Sequence, residues 1–309
     1  MKKFITLTAV LALIAAVFII SFVGGIYLIQ SKVSFKLPEG KHILVLGDSR
    51  TKYAVNDNIF SCAENVAQSS EVILFSYCKL RKFLAENEQL NTVILSYWGY
   101  TVRAEGMERE LFSESYMVNR IPLHLPLMDK EDIAVFSGKK ASFIYAVLHP
   151  AYKLLINMLT GKPLSYKSLA FGGYKDLHRD KLQEDIERWN RAADKAIDSI
   201  SVYQKTYLLK IAELCKSKGV ELILLSTPDK LEVYGGNELA NDFHEAYLPD
   251  VKYMDYSTFH LPDSCYGDVT HLNYRGARIF SQYLQERFSA DVKEIGEGNR
   301  WVYGGEKAE

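Results

Sequence analysis

The sequence has almost no excess of charge of either sign: 37 basic and 38 acidic residues among 309 give a formal net charge of -1. A protein with this balance has no overall positive field to draw it onto a nucleic acid, so that partner is not expected. Apolar residues make up 48% of the chain and aromatic residues 12%, unlike the composition of a disordered protein. The length favours two domains, or one large α/β domain with an insertion.

Cysteine is scarce, and its spacing excludes the usual cysteine chemistry. None of the four cysteines forms a C-x-x-C pair, so neither a zinc site nor a redox pair is expected from Cys62, Cys78, Cys215 and Cys265. Outside the cytoplasm they could form disulfides, with Cys62 and Cys78 nearest in sequence; alternatively they are small buried apolar residues. The G-x-S-x-G, P-loop, G-x-G-x-x-G and H-E-x-x-H motifs are also missing. We expect neither a metal ion nor a cofactor.

Charge is entirely missing from Phe4 to Ser31. A helix over this stretch would be about 42 Å long, against roughly 30 Å for the hydrocarbon core of a bilayer. The sequence therefore predicts a transmembrane signal anchor at 4–31. Because Lys2 and Lys3 precede it, the tail 1–3 is expected in the cytoplasm and residues 32–309 outside the cell membrane, as a single-pass protein. A cleaved signal peptide is the alternative, but the apolar run is long for an h-region and no Ala-x-Ala follows it.

Short runs rich in Ile, Leu and Val predict the strands of a sheet: His42–Leu46, Glu71–Phe75, Thr92–Tyr97, Val220–Ser226 and Lys252–Tyr256. Each run is almost continuously apolar, as expected of parallel strands buried on both faces. Helical periodicity is found at Ile197–Lys218, where Gly219 is the predicted stop, and at Arg275–Phe288. The predicted fold class is α/β, an open parallel sheet of about five strands with helices on both faces in three layers.

Residues from about 101 to 180 do not follow this alternation and predict an inserted helical segment. From Ile133 to Lys175 the chain has no acidic residue but has lysine at 139, 140, 153, 162, 167 and 175. One interpretation is a helical subdomain whose lysines lie on its solvent face with their stems along apolar surface. The other is a lid, or a surface that rests on anionic lipid or on an anionic polymer.

The residues that point to chemistry are Gly47-Asp48-Ser49, directly after the first predicted strand. Open α/β sheets bind ligands at the carboxyl ends of their strands, where a helix N-terminus can also stabilise an oxyanion. A serine hydroxyl is a weak nucleophile and needs a base. The candidate base is His271, because Asp268 precedes it by three residues in the same loop and a helix follows. We expect Ser49 to be the nucleophile, His271 the base and acid, and Asp268 the residue that orients His271.

These residues resemble two blocks of the SGNH (GDSL-like) hydrolase superfamily: the Gly-Asp-Ser turn at 47–49 and the Asp-x-x-His block at 268–271. The continuation from His271 to Ala277 is similar to the membrane-anchored extracytoplasmic branch that acts on cell-wall polymers and exopolysaccharides. The resemblance covers 42–100 and 220–289, and it implies an SGNH-like, flavodoxin-like fold and acyl-ester chemistry on a glycan. The inserted segment has no counterpart in the resemblance.

The resemblance also implies an oxyanion hole, and here the sequence departs from the family. The second block should supply a glycine N–H, but the chain has Gln68-Ser69-Ser70 at this place. The third block should supply an asparagine, but the chain has Ser96-Tyr97-Trp98-Gly99. The candidate oxyanion donors are therefore the N–H of Ser49, the N–H of Ser69 or Ser70, and Ser96 or Tyr97 as a replacement for the asparagine.

Four further residues are candidates for binding substrate. Arg50 follows the nucleophile and is either an anion-binding residue at the mouth of the site or an exposed helix residue. Tyr97, Trp98 and Tyr100 come at a strand end, where they either stack on a sugar ring or pack into the core.

The function that these observations favour is an extracytoplasmic serine esterase or O-acyltransferase, O-acetyl being the expected group, acting on an envelope glycan or wall polymer. The sequence does not separate hydrolysis from transfer. A multi-spanning acyl-donor protein is a possible partner. The missing glycine and asparagine keep an alternative open: a catalytically silent scaffold or glycan-binding component of an envelope assembly.

Overall fold

The computed structural model describes residues 1–104, 107–149, 156–157, 159–191, 199–230 and 238–290. The strands are β1 (Ile43–Leu46), β2 (Ala63–Asn65), β3 (Thr92–Ser96), β4 (Glu221–Ser226) and β5 (Lys252–Asp255). The α-helices are α1 (Lys2–Gln30), α2 (Ser49–Ala54), α3 (Ile73–Glu86), α4 (Gly99–Val102), α5 (Met107–Leu111), α6 (Glu114–His124), α7 (Lys130–Ala134), α8 (Lys140–Val147), α9 (Leu182–Arg191), α10 (Val202–Lys218), α11 (Glu238–Tyr247) and α12 (Tyr274–Ala290). Short 3-10 helices occupy Leu125–Leu127, Val135–Lys139 and Asp263–Cys265.

The five strands form one parallel sheet in the order β2-β1-β3-β4-β5. This is the flavodoxin-like doubly wound order, and the predicted α/β class is confirmed. The chain leaves β1 toward β2 on one side and then crosses to β3 on the other. The loops after β1 and β3 therefore diverge, and they leave a crevice at the carboxyl ends of these strands, where such sheets bind ligands.

The sheet is buried on both faces, as its continuously apolar strands predict. Alternate residues point to opposite sides: Leu44 lies in one core, whereas its neighbours Ile43 and Val45 lie in the other. The core on the Leu44 side is closed by α3, α10 and the segment from α5 to Phe171. The opposite core is closed by α2, α9 and α12.

One predicted strand is wrong. Residues Glu71–Phe75 are not a strand, because Ile73 begins α3, and the second strand is the short Ala63–Asn65. A run of four apolar residues has the same appearance at the start of a buried helix as in a strand. The run is the start of a helix that is buried on most of its sides, with Cys78, Leu80 and Phe83 among its core residues.

The two long predicted helices are present. The segment predicted from Ile197 forms α10 from Val202, where the Ser201 hydroxyl accepts a hydrogen bond from the Gln204 N–H; residues 192–198 lie outside the described part of the chain. Gly219 ends α10 in the left-handed conformation, with φ of 66°, which a residue with a side chain adopts less easily. The helix predicted at 275–288 extends from Tyr274 to Ala290.

The N-terminal helix α1 has the length and hydropathy needed to cross a bilayer. Its side chains are exposed up to Phe22, whereas Val23, Ile26 and Gln30 are buried against the rest of the protein. The Tyr27 hydroxyl donates to the Val147 carbonyl at 2.8 Å, and the Gln30 amide donates to the Leu123 carbonyl at 2.6 Å. The last turns of α1 thus belong to the folded domain.

The inserted segment is fixed to the sheet domain by buried polar contacts. Asp132 accepts hydrogen bonds from Tyr207 of α10 at 2.9 Å and from Arg81 of α3 at 2.5 Å. Lys167 pairs with Glu64 of β2 at 2.7 Å. Lysines 139, 140, 162 and 175 are exposed, and Lys153 lies outside the described residues. All four cysteines are unpaired, with Cys78, Cys215 and Cys265 buried, as the apolar alternative predicts.

The start of α12 offers a test of this packing. A Cβ built on Gly276 would lie 2.3 Å from the carbonyl oxygen of Cys265, so Gly276→Ala forces the two segments apart. We expect Gly276→Ala to destabilise the protein by about 1–3 kcal/mol, the usual range for overpacking. Thermal unfolding of the detergent-solubilised chain, followed by circular dichroism, measures the effect. Gly138→Ala is the matched control because its Cβ meets nothing within 4 Å; an equal shift in both variants would contradict the assignment.

Candidate active site

Ser49 is the first residue of α2 and lies at the carboxyl end of β1. The turn depends on Gly47, whose φ of 120° disfavours any residue with a side chain and whose Cβ would lie 2.3 Å from that of Ser96. Asp48 caps the helix, because its carboxylate accepts the Arg50 N–H at 3.0 Å. The turn thus brings β1 against β3 and holds Ser49 at the crevice.

The carboxylate of Asp48 also stabilises this turn through hydrogen bonds to the end of β3. It accepts the Ser96 hydroxyl at 2.8 Å and the Trp98 indole N–H at 2.8 Å. Both donors come from the end of β3 and reach across to the loop after β1. The Ser96 hydroxyl is therefore bound to Asp48, and the structure does not present it as a replacement for the oxyanion-binding asparagine.

The structure brings His271 to Ser49. The loop before α12 places the His271 Nε2 atom 2.7 Å from the Ser49 hydroxyl and the Nδ1 atom 2.8 Å from Oδ1 of Asp268. With the ring proton on Nδ1, the imidazole donates to Asp268 and accepts the Ser49 hydroxyl proton, as a general base must. The three residues predicted from the sequence form one hydrogen-bonded chain, although 222 positions separate Ser49 from His271.

Asp268 is held in the ionised form. Burial opposes its ionisation, but the hydrogen bond and charge of His271, the Thr270 N–H and the charge of Arg179 outweigh this and lower its pKa from 3.8 to about 2. The Arg179 guanidinium lies 3.0 Å from Oδ2 of Asp268 and 3.1 Å from Asp185. The carboxylate that orients His271 is itself oriented by a cation.

The loop between β2 and α3 carries the two serines at the place of the family glycine. Ser70 has a φ of 55°, the left-handed conformation that favours glycine, and it lines the same cleft as Ser49. Ser69 instead lies beside Lys52 and Tyr53, whose polar atoms are both 3.3 Å from its hydroxyl. Of the two, Ser70 is the residue that lines the Ser49 cleft.

The inserted segment holds this loop. The Tyr116 hydroxyl donates to the Ser70 carbonyl at 2.7 Å, and the Arg120 guanidinium donates to the Ser69 carbonyl and, at 2.7 Å, to the Gln68 side chain. Gln68 in turn donates to the Ala170 carbonyl at 2.7 Å. Contacts of α6 and of the chain near 170 thereby stabilise the unusual backbone of Ser70.

A buried ion pair lies behind the same loop. Lys79 and Glu71 are both fully buried and their charged groups are 2.7 Å apart. The Lys79 ammonium also donates to the carbonyls of Val66, at 2.5 Å, and Phe171, at 3.0 Å. It therefore joins α3, the end of β2 and the inserted segment through one charged group.

Arg50 is neither at the mouth of the site nor an exposed helix residue. Its side chain is 2% exposed, and its guanidinium donates to the Thr227 carbonyl at 2.6 Å and to Asp229 at 2.8 Å. The guanidinium also lies over the Trp98 ring, 4.5 Å from the centroid. Arg50 thus connects the loop after β1 with the loop after β4 and forms part of the cleft wall.

Of the three aromatic candidates for binding substrate, one is buried in the core and two line the cleft. Tyr97 is fully buried and its hydroxyl donates to the Ala240 carbonyl at 2.6 Å, so it belongs to the core and does not reach the cleft. Trp98 lines the cleft but is only 7% exposed, with its N–H on Asp48. Tyr100 also lines the cleft and is partly exposed, with its ring 5.4 Å from that of Trp98.

The cleft has a volume of about 440 Å³ and includes residues for which the sequence gives no motif. Besides Arg179 and Asp185, they are Met107, Glu110, Arg188, Val269 and Thr270. Arg188 pairs with Asp185 at 3.2 Å. These residues belong to the inserted segment, to α9 and the chain before it, and to the loop of Asp268. They are far apart in sequence and come together only in the folded protein. Among the described residues no group of three or more His, Cys, Asp or Glu side chains is arranged to hold a metal ion.

A protein-family model matches residues 180–293, less than half of the chain, which include Asp268 and His271 but not Ser49. No curated protein matches the chain. Two similar solved structures are a candidate acylhydrolase from Bacteroides fragilis, with 9% identity, and a GDSL-like lipase from Bacteroides thetaiotaomicron, with 12% identity. Each match has a TM-score of 0.36 and covers 85% of this chain and 94% of the other.

Proposed function

We propose that this protein is a serine esterase or O-acyltransferase that acts on O-acyl groups, expected to be O-acetyl, of an envelope glycan or wall polymer. The observation that carries the proposal is the chain of contacts from Ser49 through His271 to Asp268, with distances of 2.7 and 2.8 Å. Hydrogen-bond reach between nucleophile and base, with a third group orienting the base, is the arrangement that activates a serine.

In the proposed reaction the Ser49 oxygen attacks the acyl carbonyl carbon while His271 takes the hydroxyl proton. The backbone N–H groups of Ser49 and Ser70 stabilise the oxyanion of the tetrahedral intermediate. His271 then gives its proton to the leaving alcohol, and an acyl-Ser49 ester remains. Water or a sugar hydroxyl attacks this ester with His271 as the base, which releases the acyl group or transfers it and restores Ser49.

A polar groove next to the cleft supports a carbohydrate substrate. The groove has a volume of about 720 Å³ and shares Ser70 and Glu110 with the cleft, so the two adjoin. Beside apolar residues such as Leu123 and Leu169, its walls carry hydroxyl, amide and charged groups, namely Gln68, Ser69, Ser113, Ser115, Asn119 and Arg120. Such groups match the many hydroxyls of a sugar chain, and a groove suits a polymer better than a closed pocket does.

The proposed location is the outer side of a membrane that α1 spans, with residues 1–3 in the cytoplasm. The support is the length and hydropathy of α1 and the two lysines that precede its apolar run. A multi-spanning protein that delivers the acyl group is the proposed partner.

A silent glycan-binding scaffold is the second candidate, and the end of β3 favours it. Trp98 and Ser96 both donate to Asp48, so neither side chain replaces the missing oxyanion donor. Removal of one such donor typically lowers the rate about 10²–10³-fold. In cells, a scaffold requires the domain but not Ser49, whereas an enzyme requires both, and comparison of Ser49→Ala with a deletion separates the two candidates.

Reactivity of Ser49 is the first prediction. A fluorophosphonate probe applied to the full chain in detergent is expected to label the wild type and not Ser49→Ala, because only a serine next to a base attacks phosphorus readily. Labelled peptides identified by mass spectrometry check the site. Ser69→Ala is the matched control and retains labelling. A folded wild-type protein that takes up no probe would contradict the enzymatic proposal.

The second prediction concerns Asp268. Asp268→Asn is expected to lower the turnover of a chromogenic acetyl ester about 10⁴-fold, because the asparagine favours the wrong tautomer of His271. It also has a pH signature. A pKa lowered from 3.8 to about 2 stabilises the fold above pH 4, and this contribution disappears as the pH falls toward 2.

Urea unfolding between pH 6 and pH 3 measures that signature, as about 1–2 kcal/mol of stability that wild type loses and Asp268→Asn does not. A difference between the two proteins that stays constant across this pH range would show that His271 and Arg179 do not favour the ionised carboxylate.

The third prediction concerns the backbone of Ser70. Ser70→Gly keeps the N–H and relieves the left-handed strain, so it is expected to retain or raise kcat. Ser70→Val loses the same hydroxyl but places a β-branched side chain at positive φ, and is expected to lower kcat by at least about tenfold with little change in KM. Steady-state kinetics compares the pair; equal kcat values would remove Ser70 from the oxyanion hole.

A further inference from the structure

Helix α8 carries an exposed apolar stripe beside the C-terminal end of α1. Its residues Ile144, Tyr145 and Leu148 lie on one face, with Ile144 57% and Leu148 46% exposed. Lys139 and Lys140, both exposed, stand at the start of the helix. Apolar side chains next to lysines on a short helix are typical of segments that lie in a membrane interface.

The position of α8 relative to the proposed membrane follows from its contact with α1. The exposed part of α1 from Phe4 to Phe22 is about 28 Å long, close to the roughly 30 Å of a hydrocarbon core. Burial against the domain begins at Val23, and Tyr27, about 7.5 Å beyond Phe22, donates to the Val147 carbonyl of α8. The polar headgroup layer is about 5–7 Å thick on each side. The end of α8 is therefore level with the headgroups.

We propose that α8 lies on the outer leaflet of the membrane, with Ile144, Tyr145 and Leu148 against the acyl boundary and Lys139 and Lys140 among lipid phosphates. The proposal rests on the proposed span of α1 but not on catalysis. Charge favours anionic lipid as the occupant, because the chain from 133 to 175 has no acidic residue. A protein partner on this face is the competing occupant.

The contact has a consequence for substrate access. His149, two residues after α8, and Leu123, which accepts the Gln30 hydrogen bond, both line the polar groove that adjoins the Ser49 cleft. With α8 on the membrane, this end of the groove opens at the bilayer surface. A glycan attached to a membrane lipid, or an acyl donor that leaves the membrane, then enters the groove without crossing free solvent.

Fluorescence quenching in lipid nanodiscs tests the placement. The full chain with Cys62→Ser, which leaves only buried cysteines among the four, receives an environment-sensitive dye at one introduced cysteine. The test position is Leu148→Cys. Gln282→Cys is the matched control, because Gln282 is exposed on α12, which packs against the opposite face of the sheet. Ile14→Cys reports on α1. The discs contain phosphatidylcholine and phosphatidylglycerol in equal parts, with nitroxide lipids of shallow or deep label.

We expect shallow nitroxide to quench the dye at 148 several-fold more than at 282, and deep nitroxide to quench it at 14. Lys139→Gln with Lys140→Gln is expected to weaken the quenching at 148 in these discs but not in discs of phosphatidylcholine alone. Strong quenching at 14 with equal quenching at 148 and 282 would overturn the proposal and leave α8 to water or to a protein. Weak quenching at 14 would instead show that α1 does not span the bilayer, and would overturn the proposal for that separate reason. Neither result bears on the labelling of Ser49.

Discussion

The buried ammonium of Lys79 is the contact on which the arrangement of the site depends most. It has no access to water, and its partners are the Glu71 carboxylate and the carbonyls of Val66 and Phe171. Removal of one member of such a pair leaves an uncompensated buried charge, which is among the most destabilising changes that a fold can suffer. Lys79 lies in α3, and its three partners lie just after β2, in the loop before α3 and in the inserted segment, so the insertion and the sheet domain are required to fold together. Ser70 lies next to Glu71 and inherits its position from this contact.

The inserted segment has three roles that its composition does not reveal. Tyr116 and Arg120 donate to the carbonyls of Ser70 and Ser69, Glu110 lines both the cleft and the polar groove, and the carbonyls of Leu123 and Val147 accept hydrogen bonds from the end of α1. The first and the last of these are contacts between a side chain and a distant backbone group, which depend on tertiary structure alone. The sequence reveals the lysines and the missing acids of this region, but no local pattern encodes which backbone groups its side chains reach.

The fold and the proposed triad follow from the sequence because parallel sheets impose strong geometry. A serine after the first strand and a histidine before the last helix both lie at the carboxyl edge, and the order of the strands brings these loops together. The same reasoning fails where a sequence pattern fits more than one kind of structure. Glu71–Phe75 is apolar because it starts a buried helix, and the real second strand, Ala63–Asn65, has one apolar residue out of three. Tyr97 and Trp98 occur at a strand end that predicts substrate contact, yet a core carbonyl and Asp48 take their polar atoms.

The bond from Trp98 to Asp48 bears on the rate of the proposed enzyme, whereas the groove bears on its choice between transfer and hydrolysis. In place of an asparagine amide, the site has an indole that donates to Asp48 and fixes the turn of Ser49, so the proposed mechanism assigns stabilisation of the oxyanion to backbone N–H groups. The loss of a donor slows attack by water and by a sugar hydroxyl equally, because both form the same tetrahedral intermediate. A sugar held in the adjoining groove gains an effective concentration that water does not, and positioning of this kind can contribute about 7–11 kcal/mol to a barrier. In the proposed enzyme, a sugar hydroxyl oriented in the groove would therefore favour transfer over hydrolysis through its position, independently of the strength of the oxyanion hole.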